Sequence, residues 1–271
     1  KQVIEQAKKQ GVKEEKLNSL KAQLVPIPQA ENVNNTSPSQ QQLSNLLEHY
    51  QSGRFCEAEK LAVSITEQFP RHDFSWKILG AVLKQTGRVS EAVFAGEKAI
   101  EITPDDAEAH SNLGVMLQEL GRLEEAEATL MQAITLKPDY AEAHYNLGVM
   151  LQELSRLDEA EASYRQVILL KPDYTQAHSN LGNVLQELGR LEEAETSYTQ
   201  AIVLRPDYAD AHCNLGTMLE EMGRLDEAEA CYRIAISLKP DLVGAYSNLG
   251  NTLKELGKLE EAEASYRRAI V

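Results

Sequence analysis

The chain's 271 residues carry 42 aspartates and glutamates against 27 lysines and arginines, for a formal charge of −15 and a pI of about 4.9. So acidic a surface repels nucleic-acid phosphates and anionic lipid, which argues against both as partners and favours neutral or basic proteins. No apolar run approaches the ~18 residues that a membrane span needs. Cys56, Cys213 and Cys231 form no C-x-x-C pair and cannot build a disulfide framework. Such cysteine usage fits a reducing compartment, so the cytoplasm is the expected location. Because the chain opens on Lys1 rather than Met, export stays open.

In chain order, residues 1–24 read as one or two short helices. Val3, Ile4 and Ala7 form one apolar stripe, Leu17, Leu20 and Leu24 another, and Gly11 marks the break. Residues 25–38 form a Pro/Asn-rich linker with overlapping N-x-S/T sequons at Asn34 and Asn35, candidate glycosylation acceptors only in an exported chain.

From Ser39 onward a 34-residue period takes over. Residues 39–72 form a degenerate entry unit that keeps Gly53, Ala58 and Pro70. Units 73–106, 107–140, 141–174, 175–208 and 209–242 follow, and residues 243–271 stop 29 residues into the period. Each unit predicts two helices, A and B. Asp139 and Glu142, like Asp105 and Glu108, have capping-box spacing before helix A. Leu147, Leu151 and Leu154 continue an apolar stripe toward a left-handed cap, which is Gly121, Gly189, Gly223 and Gly257 in other units but Ser155 here. Helix B opens on an acidic pair such as Glu124-Glu125, suited to the positive end of its dipole. Ala126, Ala160 and Ala194 let it lie close on helix A, where Gly114, Gly148 and Gly182 make room. Pro138, Pro172 and Pro206 end it.

These units resemble tetratricopeptide repeats over about residues 39–271, with 141–174 following the consensus almost throughout. The resemblance implies an all-α, right-handed superhelix of about seven helix–turn–helix repeats, a solenoid that presents a long surface to proteins or peptides. The block from His178 to Glu195 is most similar to the repeat region of O-linked N-acetylglucosamine transferases and related bacterial repeat proteins. In that family an inner ladder of asparagines holds the backbone of substrate proteins. By resemblance, the ladder here is Asn112, Asn146, Asn180, Asn214 and Asn248, with Ile78 in the corresponding place one unit earlier. The catalytic domain of those transferases follows the repeats, so a sugar-transferring activity requires sequence beyond Val271. Other members of the repeat superfamily clamp chaperone C-terminal carboxylates. Lys77 suits that mode, but Ala81, Glu142 and Asn146 replace the remaining clamp residues, so it is not expected here.

An amide offers two donors and an acceptor, so an Asn ladder can pair with the N–H and C=O of an extended peptide. The competing reading is that each Asn bonds the neighbouring repeat and serves stacking alone. Ser111, Tyr145, Ser179, Cys213 and Ser247 precede the ladder, and Gln118, Gln152 and Gln186 follow it along the same helices. Beside them lie Glu119, Glu153, Glu187, Glu221 and Glu255, which make the groove acidic; they are either ligand contacts or local ion-pair partners of Arg122, Arg156, Arg190, Arg224 and Lys258 three residues on. His110, His144, His178 and His212 recur one per unit. Successive positions are too far apart to converge on a metal, so they are expected to pack between helices. No catalytic, cofactor or metal motif appears. Because a solenoid needs a polar capping helix, ending within helix B implies that the protein continues or that another copy covers that end. The expectation is therefore a non-catalytic scaffold, the binding region of a larger protein; the structural alternative is a filament built from end-to-end solenoid contacts.

Overall fold

The computed structural model describes residues 37–270. The expected leader helices, nearly all of the linker, and the sequons at Asn34 and Asn35 lie outside the described residues. Among the described residues there are fourteen α-helices and no strand. They run as α1 (Gln40–Gln51), α2 (Phe55–Gln68), α3 (Asp73–Gln85), α4 (Val89–Ile102), α5 (Ala107–Glu119), α6 (Leu123–Leu136) and α7 (Ala141–Glu153). Next come α8 (Leu157–Leu170), α9 (Thr175–Glu187), α10 (Leu191–Leu204), α11 (Ala209–Glu221), α12 (Leu225–Leu238), α13 (Val243–Glu255) and α14 (Leu259–Ile270). Odd-numbered helices are the A members of the hairpins and even-numbered helices the B members. Each A packs most extensively on its own B, and each B then packs on the next A.

The turn chemistry explains the hairpin. Gly121, Gly189, Gly223 and Gly257 close helix A at φ of 73–75°, and Ser155 takes the same role at φ 56° with a side chain. Left-handed backbone costs an L-residue about 1 kcal/mol or more, so repeat 141–174 carries a local penalty that its neighbours avoid. The acidic pairs Glu124-Glu125 and Glu192-Glu193 lie in the first turns of α6 and α10, as expected. Pro138, Pro172 and Pro206 stand two residues past the last residue of helix B, just after its C-cap.

The capping boxes do not form. Helix A begins one residue later than expected, at Ala141, so Tyr140 occupies the cap position and makes no side-chain cap bond. In α5 the capping residue is Asp106 rather than Asp105: its carboxylate accepts from Glu108 N and Ala109 N. What recurs at the turns, that before α5 included, is a ring donor inside helix A. His110, His144, His178 and His212 donate Nε2–H to the carbonyls of Pro104, Pro138, Pro172 and Pro206 at 2.9–3.0 Å. Trp76 does the same with its indole N–H to Pro70 O at 2.9 Å. The histidines thus pack as expected and also tie the entering turn to the helix that follows it.

The glycine notch is filled differently from the sequence expectation. A Cβ on Gly182 would lie 2.6 Å from Tyr198 Cε1, and one on Gly148 or Gly216 would lie 2.8 Å from the ring of Tyr164 or Tyr232. The small Ala160 and Ala194 are buried beside these contacts, but the tyrosine ring of helix B is what sits in the notch. In repeat 107–140 Leu130 takes its place, 2.7 Å from a Cβ on Gly114.

Candidate functional site

Successive A helices approach one another more closely than successive B helices, so the A helices line the inside of the curve. The asparagine register falls there. Asn146 Nδ2 donates to Ser111 Oγ (3.2 Å) and Asn180 Nδ2 to the Tyr145 hydroxyl (3.1 Å). Asn214 Nδ2 donates to Asn183 Oδ1 (2.9 Å) and Asn248 Nδ2 to Thr217 Oγ1 (3.3 Å). All four are half-buried, and these partners lie on the preceding A helix; Asn180 Nδ2 also donates to the Tyr164 hydroxyl of α8 (3.3 Å). Asn146, Asn214 and Asn248 therefore have one N–H committed to the neighbouring repeat and Asn180 has its amino group on two hydroxyls there, while the four carbonyl oxygens accept no bond from the described residues. Asn112 differs: it is exposed and makes no such bond. The side chain that stands where Ser111 and Tyr145 stand for the later asparagines is Lys77, which is engaged with Asp106 at 2.7 Å.

The residues preceding the ladder divide into two groups. Ser111 and Ser179 are buried, at 1 % and 2 % exposure, and do not line the open face; Ser111 supports Asn146 from behind. Tyr145, Cys213 and Ser247 are half-buried. Tyr145 stacks on Tyr174 with ring centroids 5.1 Å apart. Burial pushes the Cys213 thiol up to about 11, with Asp210 adding to the effect. That thiol stays protonated and is a poor nucleophile near neutral pH.

Gln118, Gln152 and Gln186 form a rail along the same face. Their Nε2 groups donate to Glu153 (2.6 Å), Glu187 (3.0 Å) and Glu221 (2.7 Å) of the next repeat, and Lys84 pairs with Glu119 at 3.0 Å. The expected local pairs between these glutamates and the basic residue three positions later are absent. Arg156, Arg190 and Arg224 instead join the glutamate three residues on (Glu159, Glu193, Glu227) and one on the preceding B helix (Glu127, Glu161, Glu195). The reason is geometric: each arginine sits at the cap of helix B, so its side chain runs along helix B rather than back onto helix A.

Sequence reasoning missed the tyrosines of helix B. Tyr164 donates to Gln152 Oε1 (3.2 Å) and Tyr198 to Asn183 Oδ1 (2.7 Å), with Gln186 Oε1 2.9 Å away; Tyr232 donates to Glu220 Oε2 (2.8 Å). These side chains are fully buried, and their hydroxyls end beneath the ladder and rail side chains and hold them in place. Burial drives all three phenols well above their usual range. The signal was present in the sequence, since each tyrosine follows a register glycine by 16 residues.

Family models for the TPR repeat match residues 116–155 and 182–223, and models for the tetratricopeptide repeat match 95–128, 141–174, 209–242 and 243–270. The chain belongs to the tetratricopeptide repeat family. No curated protein sequence matches it. Among solved structures it is similar to YrrB, described as a TPR protein with an unusual peptide-binding site. The identity is 26%, with 65% of this chain and 91% of YrrB covered, at a TM-score of 0.54. It is also similar to MamA (25% identity, 58% and 92% covered, TM-score 0.55). A tetratricopeptide repeat protein from Parabacteroides merdae shares the fold (17% identity, 84% and 91% covered, TM-score 0.68). The chain is thus an all-α TPR superhelix and a protein-interaction scaffold. Among the described residues no helix is long and apolar enough to cross a membrane.

Proposed function

We propose that this scaffold binds extended segments of partner proteins along the face lined by its A helices, reading mainly their backbone. The observation that carries this is the half-committed ladder. Asn146, Asn214 and Asn248 each spend one N–H on the preceding repeat and Asn180 spends its amino group on two hydroxyls there, which fixes the amide's orientation. The carbonyl oxygen of each, and the second N–H of all but Asn180, remain for a peptide N–H and C=O. One such group per repeat suits a chain lying along the superhelix, and holding the amides in advance lowers the entropy lost on binding. The same bonds meet the stacking alternative halfway: the asparagines do contribute to stacking, but stacking uses only part of each amide. The peptide-binding site named for YrrB, at 26% identity, supports the reading.

The test is a selection of dodecapeptides from a randomised phage library on the wild-type chain. Titration of the enriched peptides against Asn146→Ala/Asn180→Ala/Asn214→Ala follows. Loss of three partly exposed amide contacts should weaken binding by roughly tenfold to a hundredfold. Unchanged affinity in a variant that melts well below wild type would assign the asparagines to stacking instead.

A further inference from the structure

The face lined by the A helices is not uniform. Between α3, α5 and α7 it opens into a cleft of about 430 Å³, within the range of roughly 300–1,000 Å³ common for ligand sites. The cleft opens where contact between successive A helices is weakest, at the α3–α5 joint. Its apolar wall includes Phe74 and Met116, and its polar lining includes Lys77, Lys84, Glu108, Asn112, Glu142 and Asn146. Both lysines are already satisfied. Lys77 lies 2.7 Å from Asp106 and 3.6 Å from Asp73, and Lys84 lies 3.0 Å from Glu119. Glu108 and Glu142 are exposed and make no ion pair among the described residues. Two cations thus stand against five carboxylates, with two of the five unpaired. Asn112, the ladder amide that makes no bond to a neighbouring repeat, stands one turn along α5 from Glu108, and Asn146 stands in the same relation to Glu142 on α7.

We infer that this cleft receives a basic side chain, arginine or lysine, of an extended peptide whose backbone lies on the asparagine ladder. The inference rests on the peptide-binding reading above and adds a specificity to it. A cation entering between Glu108 and Glu142 gains two carboxylate partners, while its aliphatic stem lies on the wall at Phe74 and Met116. A peptide carboxylate gains nothing comparable, since Lys77 and Lys84 already have anionic partners. The helix dipole alone does not demand these two acids in the first turn, because the equivalent positions of α9 and α13 are Gln176 and Gly244. The net charge of the whole chain, −15, attracts basic segments in general.

The experiment is a parallel selection of the randomised dodecapeptide phage library on wild type, on Glu108→Gln/Glu142→Gln and on Glu108→Lys/Glu142→Lys. All three chains are first shown by circular dichroism to keep wild-type helicity and melting. The expected result is enrichment of Arg or Lys at one position on wild type, its loss on the glutamine pair, and a switch to acidic residues on the lysine pair. A synthetic wild-type-selected peptide should lose roughly tenfold in affinity on the glutamine pair, an effect that shrinks as salt rises. Enriched peptides without a basic bias, bound equally by all three chains but weakened by the triple Asn variant, would overturn the basic-residue assignment and leave the ladder reading standing. Failure of wild type to enrich any peptide would overturn both.

Discussion

Placing a methyl group at Gly182 tests the packing directly. A Cβ there would stand 2.6, 2.7 and 2.9 Å from Cε1, Cδ1 and Cζ of Tyr198, whereas carbon atoms in contact settle at about 3.5–4.0 Å. The ring must therefore retreat by about 1 Å. Little freedom exists for that: Tyr198 is fully buried and its hydroxyl is tied to Asn183 at 2.7 Å. Overpacking of this kind costs about 1–3 kcal/mol, against a helix-propensity gain of about 1 kcal/mol for replacing glycine with alanine. Gly182→Ala should thus be destabilised by about 1 kcal/mol, and Gly182→Leu by more. Gly80→Ala is the control. Its Cβ would meet the flexible end of Met116 at 3.3 Å, with Ala92 O at 3.4 Å and Ala95 Cβ at 3.6 Å near ordinary contact distance, so the propensity gain should dominate and stabilise the chain. Thermal unfolding followed by circular dichroism at 222 nm resolves the difference, since 1 kcal/mol moves Tm by roughly 2–4 °C for a chain of this size. Gly182→Ala melting at or above wild type, or Gly80→Ala falling as far as Gly182→Ala, would refute the notch.

Ser155→Gly should raise Tm by a few degrees, because a glycine accepts φ 56° without the penalty of about 1 kcal/mol carried by the serine; no change in the melting curve would count against that strain. The buried phenols of Tyr164, Tyr198 and Tyr232 are shifted upward, so their contribution to stability is complete below the unfolded value and is lost as pH rises above it. Tm should accordingly hold through neutral pH and fall above about pH 10, the phenol value of the unfolded chain. A melting series by circular dichroism that stays flat well beyond that pH would show that the rings are not held as described.

Most of the fold was legible because each local signal sits inside one repeat. The left-handed caps, the strained Ser155, the acidic starts of helix B and the prolines beyond its end depend on residues a few positions apart, and all stand where the sequence placed them. Signals read to the single residue fared worse. A shift of one position at the start of helix A removed the capping boxes, since the cap geometry belongs to one residue alone. Contacts between repeats were least legible. Arg190 had Glu187 nearby in sequence, yet it reaches Glu161, 29 residues away, because stacking sets the neighbouring B helix beside it. The site divides in the same way. The asparagine register could be read from the period, but the release of Asn112 from stacking goes with Lys77 being drawn to Asp106, a contact 29 residues apart that joins α3 to the start of α5. The tyrosines were readable from their fixed offset from glycine, but their role appears only once the ring is seen to pass through the notch to the ladder.

The most direct measurement is a crystal structure of the chain bound to the tightest dodecapeptide from the wild-type selection. The expected result is an extended peptide on the face of the A helices, with its main-chain N–H and C=O groups within about 3 Å of the amides of successive ladder asparagines. A peptide seated on the B helices or at the hairpin turns, with the asparagines bonded only to their neighbouring repeats, would contradict the ladder as a binding device.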